Sequence, residues 1–381
     1  MKHIVRNLAL LGCVGSSAVA APFLAIGDNA ELFAIADASA AYNNNILLGS
    51  GVSKLDDTIL TFKPGFDLQY GKDSLLKGNV IATATLTSYA DNNDLNNQLL
   101  AISNASTYQS GGLKLNFVAS HKELDQATVD VVPTTGKLVE RHVSDLGLTG
   151  ELEVSEKISV GSGLSYNKVD YKTAGYIEED SYTVPVNVYY ELTPKVDLSA
   201  GVTYSKTNLD DVAAGQADEY DTFYYNVGAR GEFTQKLSGS FSVGYTTRNA
   251  NRGDDDSGAS AQAALAYAYS DKTNFSLALS RGFNNASSTG ASYENSQITL
   301  GATSAIAVDW RLNASVTYRE LDYQSTSQKD TYIESTVGAT YIINSNLSAG
   351  LSYVYRDQTS KGAGGSEFDN SVVALSLSAR Y

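Results

Sequence analysis

The chain has 381 residues, and its 27 basic and 42 acidic side chains give a net charge of −15 at pH 7. Charged residues make up only 18%, against about 25% in soluble domains, while 25 Tyr and 32 Gly stand beside 5 Pro, 3 His and 1 Cys. That balance excludes a nucleic-acid binder, which needs a basic footprint, and a disulfide scaffold. No stretch approaches 18 consecutive apolar residues, so no spanning helix is expected either.

In chain order, the first segment reads as a targeting signal. MKHIVRN carries Lys2 and Arg6, LALLGCVG is a short apolar core, and Ala18-Val19-Ala20 supplies small residues before a cleavage point. The expected division is a signal peptide over 1–20, a short periplasmic segment over 21–30, and a barrel over 31–381. Leu10-Leu11-Gly12-Cys13 also has the form of a lipoprotein box with Cys13 as the lipidation site, on a very short apolar run. Cleavage after Ala20 removes Lys2, Arg6 and Cys13. The mature chain then keeps 27 − 2 = 25 basic and 42 acidic residues, a net charge of −17. An exported chain without disulfides needs a large hydrogen-bonded fold.

From there one unit repeats: strand, short turn, strand, longer acidic loop. VDLSAGVTYSK sets Val196, Leu198, Ala200, Val202 and Tyr204 on one face against Asp197, Ser199, Gly201, Thr203 and Ser205. LSGSFSVGYTTR and WRLNASVTYR alternate in the same way. Period two over about ten residues is the half-buried strand signal. Short connections are predicted at 71–74, 109–112, 155–157, 193–195, 234–236, 270–272, 306–308 and 344–346. Long ones are predicted near 43–57, 91–96, 124–138, 172–180, 210–220, 251–258, 284–291, 325–331 and 359–368. These connections join about 18 strands, with 16–18 compatible with the weaker patterning near 97–109 and 138–145. Short turns on one end and long loops on the other describe a closed antiparallel transmembrane β-barrel.

The aromatics fall at strand ends. Tyr166, Tyr204, Tyr245, Tyr318 and Tyr353 close rising strands; Tyr70, Tyr190, Phe233, Tyr269, Tyr341 and Tyr381 close descending ones. They form two belts in space, as suits rings that are apolar with a hydroxyl that seeks water. With the apolar face in lipid, open edges would strand backbone groups in hydrocarbon, so the sheet must close. The other face carries Ser, Thr, Gly and Asn, too small and polar to pack a core, and an 18-strand interior holds water. No plug and no deep constriction loop is expected.

Alternation turns Lys63, Arg230, Arg311, Arg319, Arg356 and Arg380 inward as pore-lining candidates. Asp67, Glu151, Glu153, Glu191, Asp197, Glu232 and Glu334 accompany them. These charges either orient solutes through a focused field or pair across neighbouring strands. Acidic runs at 178–180, 209–211, 217–221 and 254–256 read as solvated loops or as oxygen ligands for divalent cations, and match no calcium-loop spacing. An Arg-Gly-Asp triplet occupies 252–254. After signal removal the only histidines are His121 and His142, in no nucleophile or metal motif. No catalytic residues, metal or cofactor are expected, and the chain is read as a non-enzyme.

The final strand, SVVALSLSARY, alternates to its last residue. Val373, Leu375, Leu377, Ala379 and Tyr381 form its apolar face. That strand is expected to pair with the first one near LFAIADASAAY and to carry the signal read by the outer-membrane insertion machinery.

AAYNNNILLGS, DDTILTFKPGFDL, TQKLSGSFSVGYTTRN, TNFSLALSRGFNNAS and LSYVYRDQTS resemble strands of the β-barrel porins associated with bacterial exopolysaccharide export. The resemblance spans about 30–381. It departs at Asn43-Asn44-Asn45, where that family carries Asp. It implies an outer-membrane channel in a Gram-negative-type bacterium, serving as conduit or accessory barrel for exported polysaccharide. Expected partners are outer-membrane lipid and lipopolysaccharide, the insertion machinery, and polysaccharide or small hydrophilic solutes, with no nucleic acid. The alternatives are a structural or adhesive surface barrel acting through its loops, and a barrel enzyme with a Ser or acid cluster beside a histidine.

Overall fold

A computed structural model describes residues 22–127, 136–210, 212–213, 215–324, 326–362 and 365–381. The signal peptide over 1–20, with Cys13, lies outside these residues.

Alternating apolar and polar residues fix an extended backbone wherever both faces have a use. The chain therefore forms 18 long strands after one short strand. They are β1 (Leu24–Ile26), β2 (Ala30–Asn43), β3 (Asp57–Tyr70), β4 (Leu76–Tyr89), β5 (Asn97–Ser110) and β6 (Leu113–Gln126). Next come β7 (Val139–Ser155), β8 (Ile158–Tyr171), β9 (Glu179–Thr193), β10 (Val196–Leu209), β11 (Glu219–Glu232), β12 (Leu237–Ala250) and β13 (Asp256–Ser270). The last are β14 (Thr273–Asn285), β15 (Ser292–Ala305), β16 (Trp310–Tyr323), β17 (Lys329–Ile342), β18 (Leu347–Lys361) and β19 (Phe368–Arg380). Each of β2–β19 pairs antiparallel with its chain neighbours, and β19 pairs with β2 from Val372↔Asn43 to Arg380↔Ile35, closing the ring. The poorly patterned regions 97–109 and 138–145 are strands too. β5 carries Gln98, Asn104 and Ser106 among its outward residues, which blurs its alternation.

Connections at one end are two to five residues long, and at the other five to thirteen. The short end is periplasmic and the long end extracellular. Residues 24–26, read as a plain leading segment, instead form a strand on the edge of β2 that β19 does not reach. β1 covers Ala30–Leu32, and backbone hydrogen bonds between Tyr381 and Ala34 finish the seam above it.

Register carries the two faces unbroken around the ring. Ser376, Ser39, Thr61 and Thr87 form one inward row across four strands, beside the outward row Leu375, Ala40 and Leu60. The outward face is apolar and bare: Leu60, Leu164, Val227, Val243, Leu300 and Leu375 are each more than half exposed. At about 25 cal/mol per Å², such a wall is unstable in water and belongs in lipid. Outward rings meet at both rims. Tyr166 and Tyr182 (4.9 Å) and Tyr204 and Phe223 (5.1 Å) pair below the long loops; Trp310 and Tyr341 (5.0 Å) and Phe233 and Phe241 (5.7 Å) pair near the short turns.

Candidate functional site

The strands present an inner wall, and the site is built on it. At mid-height the wall is small and polar: Ser39, Thr61, Ser103, Asn187, Gly201, Asn226, Ser242, Thr299, Thr317 and Ser352 lie on inward registers. Two glycines on this wall leave room for tyrosines. A Cβ on Gly161 would lie 3.0 Å from the Tyr189 ring, and one on Gly244 2.8 Å from the Tyr224 ring. Both rings therefore pack against the wall at these glycines.

All six predicted basic residues sit on inward registers, in three settings. Toward the periplasmic end, Arg230 on β11 bonds Glu151 of β7 through Nη1 (2.8 Å) and Nη2 (2.5 Å), and Asp197 of β10 through Nε (2.9 Å). Its guanidinium stacks 3.5 Å from the Tyr189 ring centroid. One arginine thus fastens strands four apart, a use its planar fork of donors suits and a lysine would not. At the seam, Arg380 on β19 crosses β2 to Asp67 on β3 (2.8 Å) and stacks 3.9 Å over Phe33. Arg311 faces inward one residue into β16, and register sets Lys63 opposite Asp37.

The remaining two belong to a chain of contacts below the mouth. Arg319 stands 4.9 Å from the Tyr332 ring, and the Tyr332 hydroxyl donates to Glu334 (2.8 Å). Glu334 accepts from Arg356 (2.8 Å), whose Nη1 donates to Asn370 (3.0 Å). The Asn370 amide donates to Asn43 Oδ1 (2.6 Å) and to the Asn45 carbonyl (3.1 Å). Polar contacts thereby run from β16 across the seam. Of the two sequence readings for the lumen charges, cross-strand pairing describes Arg230, Arg356 and Arg380.

The Asn43-Asn44-Asn45 triplet now has a physical reason. Asn44 Oδ1 accepts from the Ser371 backbone (2.7 Å), and the Asn45 amide donates to the carbonyls of Asp369 (2.8 Å) and Gly49 (2.8 Å). Asn45 donates through Nδ2 and accepts from the Gly49 backbone through Oδ1 at once, which an aspartate there would not; Asn43 and Asn44 serve as acceptors. Asn45 and Asn370 are fully buried.

This latch turns the loop after β2 into the mouth. Leu48 packs on Tyr332 and Phe368, both inward, with Ala127 at the far end of β6 against the same cluster. A second convergence joins the loops after β8, β10 and β14. Ile177, Leu209, Ala217 and Tyr220 cluster, the Ile177 backbone donates to Ser287 (2.7 Å), and the Tyr220 hydroxyl to Gly290 (3.3 Å). A cavity of about 560 Å³ opens among these loops, lined by Tyr171, Thr173, Tyr176, Gln216, Ser288 and Thr289, with the Tyr171 and Tyr176 rings stacked at 5.2 Å. The sequence predicts no deep constriction loop, and these contacts lie at the mouth; thirteen residues suffice to narrow it there when an asparagine latch folds them inward.

Sequence reasoning missed the inward Lys77, Lys114, Lys122, Arg141 and Arg248. Arg248 lies on a clear polar face, so its signal was present; it is buried, stacks 4.0 Å from the Tyr220 ring and donates to Asn285. It also missed that Tyr220, Tyr293, Tyr323 and Tyr332 point inward beneath the loops rather than joining a belt. In the acidic loops, Glu178 meets Lys168 (3.4 Å) and Glu219 meets Lys206 (2.8 Å). The Asn251 amide and Arg252 hold the Asp218 carboxyl below the usual carboxylate range, and Arg252 is the arginine of the Arg-Gly-Asp triplet. His121 and His142, in no motif of the sequence, lie on the adjacent strands β6 and β7, with ring centroids 5.6 Å apart.

Two family models match parts of the chain: "Putative beta-barrel porin 2" over residues 210–381 and "Outer membrane protein beta-barrel domain" over 99–269. The solved structure of Pseudomonas aeruginosa OccK2 (OpdF) is similar over 92% of this chain and 98% of that one, at 10% identity and a TM-score of 0.50. The chain has the closed antiparallel fold of an outer-membrane porin barrel. Acinetobacter baumannii OccAB4 (13% identity, 93% and 99% covered, TM-score 0.48) and P. aeruginosa OpdK with vanillate (10%, 92% and 99%, 0.48) are also similar. No curated protein matches the chain.

Proposed function

We propose that the barrel is a passive channel for hydrophilic solutes. The observation that carries this reading is the mid-height wall: an 18-strand ring lined by Ser, Thr, Asn and Gly, with Tyr189 and Tyr224 packed against glycines. A ring of 16–18 strands with such a lining leaves an aqueous bore. The Arg230 cluster and the Arg319–Arg356 chain set its charge preference. An extended sugar chain is the favoured solute. The resemblance to exopolysaccharide-associated porins supports it, as does the stacked Tyr171–Tyr176 pair beside Thr173, Gln216 and Ser288 at the mouth. Planar-bilayer recording of the purified barrel should give stepwise conductance, reduced by added polysaccharide. A folded preparation with no conductance steps would remove the channel reading.

One observation favours a second reading, a surface barrel acting through its loops: the Ile177–Ser287 contact and the packing of Ala127 on the Leu48 cluster join distant loops at the mouth. It predicts little conductance and surface binding that depends on those loops.

The face Val373, Leu375, Leu377, Ala379 and Tyr381 serves as an insertion signal in this proposal. Tyr381 is 63% exposed on the outer wall while its backbone is bonded to Ala34, so its ring is presented without loosening the seam. Deleting Tyr381 should lower the heat-modifiable barrel recovered in outer-membrane fractions. Full recovery would contradict the assignment.

A further inference from the structure

On the outer wall, just above the apolar band, His121, Glu123 and His142 meet. Below them β6 presents Leu113, Leu115, Phe117 and Ala119 outward, and β7 presents Leu146, Leu148 and Leu152. His121 and Glu123 are two apart on β6 and so share a face. His142 on β7 stands in register with Glu123. One ligand atom from each of the three lies within 4.8 Å of the others. We propose that this trio is a binding site for a divalent transition-metal ion of the zinc class.

The donor set is two imidazoles and a carboxylate. Imidazole suits zinc, copper and nickel, whereas calcium and magnesium take oxygen ligands. Tetrahedral bonds of about 2.0–2.1 Å place ligand atoms about 3.3 Å apart, so side-chain rotation within the trio closes the site without moving either strand. Supporting contacts already aim the ligands. The Ser144 hydroxyl lies 2.9 Å from His121 Nδ1, which leaves Nε2 as the nitrogen for a cation. The Leu100 backbone donates to Glu123 Oε2 (2.8 Å) where β5 and β6 part, and leaves the other carboxylate oxygen to bind. Hydrogen-bonded imidazole and carboxylate ligands are the usual outer shell of a metal site. Asp125 and Glu140, paired one step further up the same strands, add negative potential beside it. Three protein ligands leave a fourth position for water or for an anionic lipid headgroup. The ion would clip β6 to β7 on the wall's outer side and is independent of anything the lumen does.

The test uses the full barrel, refolded in detergent without an affinity tag and titrated calorimetrically with Zn²⁺ in the presence of excess Ca²⁺. The expected result is one Zn²⁺ per chain, undisturbed by Ca²⁺. Affinity should fall at least about tenfold in each of His121→Ala, His142→Ala and Glu123→Gln, with no change in Asp309→Asn, in the short connection between β15 and β16 at the other end of the barrel. Heat-modifiable migration shows that each variant is folded. Replacing Zn²⁺ by Co²⁺ should give a visible absorption band that the two histidine variants lose. A folded wild type without saturable Zn²⁺ binding, or wild-type affinity in the His121→Ala/His142→Ala double variant, would overturn the site.

Discussion

The two ends of the barrel solve the same problem by different means. At the periplasmic end the turns are short and the strands are fastened from inside by single charged side chains: Arg230 to Glu151 and Asp197, and Arg380 to Asp67. At the extracellular end the fastening is done by loops. Leu48, Ile177 and the tyrosines beneath them build small apolar clusters, and the asparagines latch the loop backbone to the last strand. At the periplasmic end the ties are side chains rooted on the wall, the longest reaching from β11 to β7. The extracellular end narrows where loops from distant strands meet, at Ile177 with Ser287 and at the Leu48 cluster with Ala127. Resistance to flow and tolerance to mutation should divide in the same way.

The largest expected effect tests the mouth. Replacing residues 46–54 by a short Gly-Ser connection removes Leu48 from the cluster that Ala127 packs against and should at least about double single-channel conductance. Unchanged conductance would move the narrow point to the Arg230 level and reverse the contrast. Next comes the latch. Asn370→Ala leaves the Asn43 side chain, the Asn45 carbonyl and Arg356 Nη1 short of a partner, in a fully buried place. Stranded buried polar groups should cost about 2–3 kcal/mol in denaturant titration of the membrane-folded protein. A smaller loss would mean that lumen water replaces the amide. The mildest effect lies at the other end. Arg230 and its partners are about one-third exposed, so solvent screens the pair and Arg230→Ala should cost only about 1 kcal/mol. Its signature is electrical: two carboxylates lose their cation, and the reversal potential in a salt gradient should shift toward cation preference.

The fold was legible because a lipid-facing barrel repeats one rule along nearly its whole length. Val196 to Ser205 and Trp310 to Arg319 state it without exception, and the turn spacing then follows. Inward placement followed from alternation where it was clean, as at Arg230 and Arg356, although Arg248 was passed over on an equally clean face. It was missed where polar residues also face outward, as on β5 and β6, since a strand that is polar on both sides hides its register. The mouth was not legible, because inward folding rests on hydrogen bonds between residues more than 300 positions apart, such as Asn45 with Asp369. The meeting of His121 and His142 was hidden likewise: they are 21 positions apart, and only the register of β6 on β7 makes them neighbours.

The small strand at the seam has a topological consequence. Along β2, Tyr381 bonds to Ala34 and Leu24 stands opposite Leu32, so the one vacant register position, opposite Phe33, falls between them. Residue 23 is the residue that would fill it. The wall is thus a ring carrying a single nick, and joining residue 381 directly to residue 23 would continue β19 into β1 without a change of register.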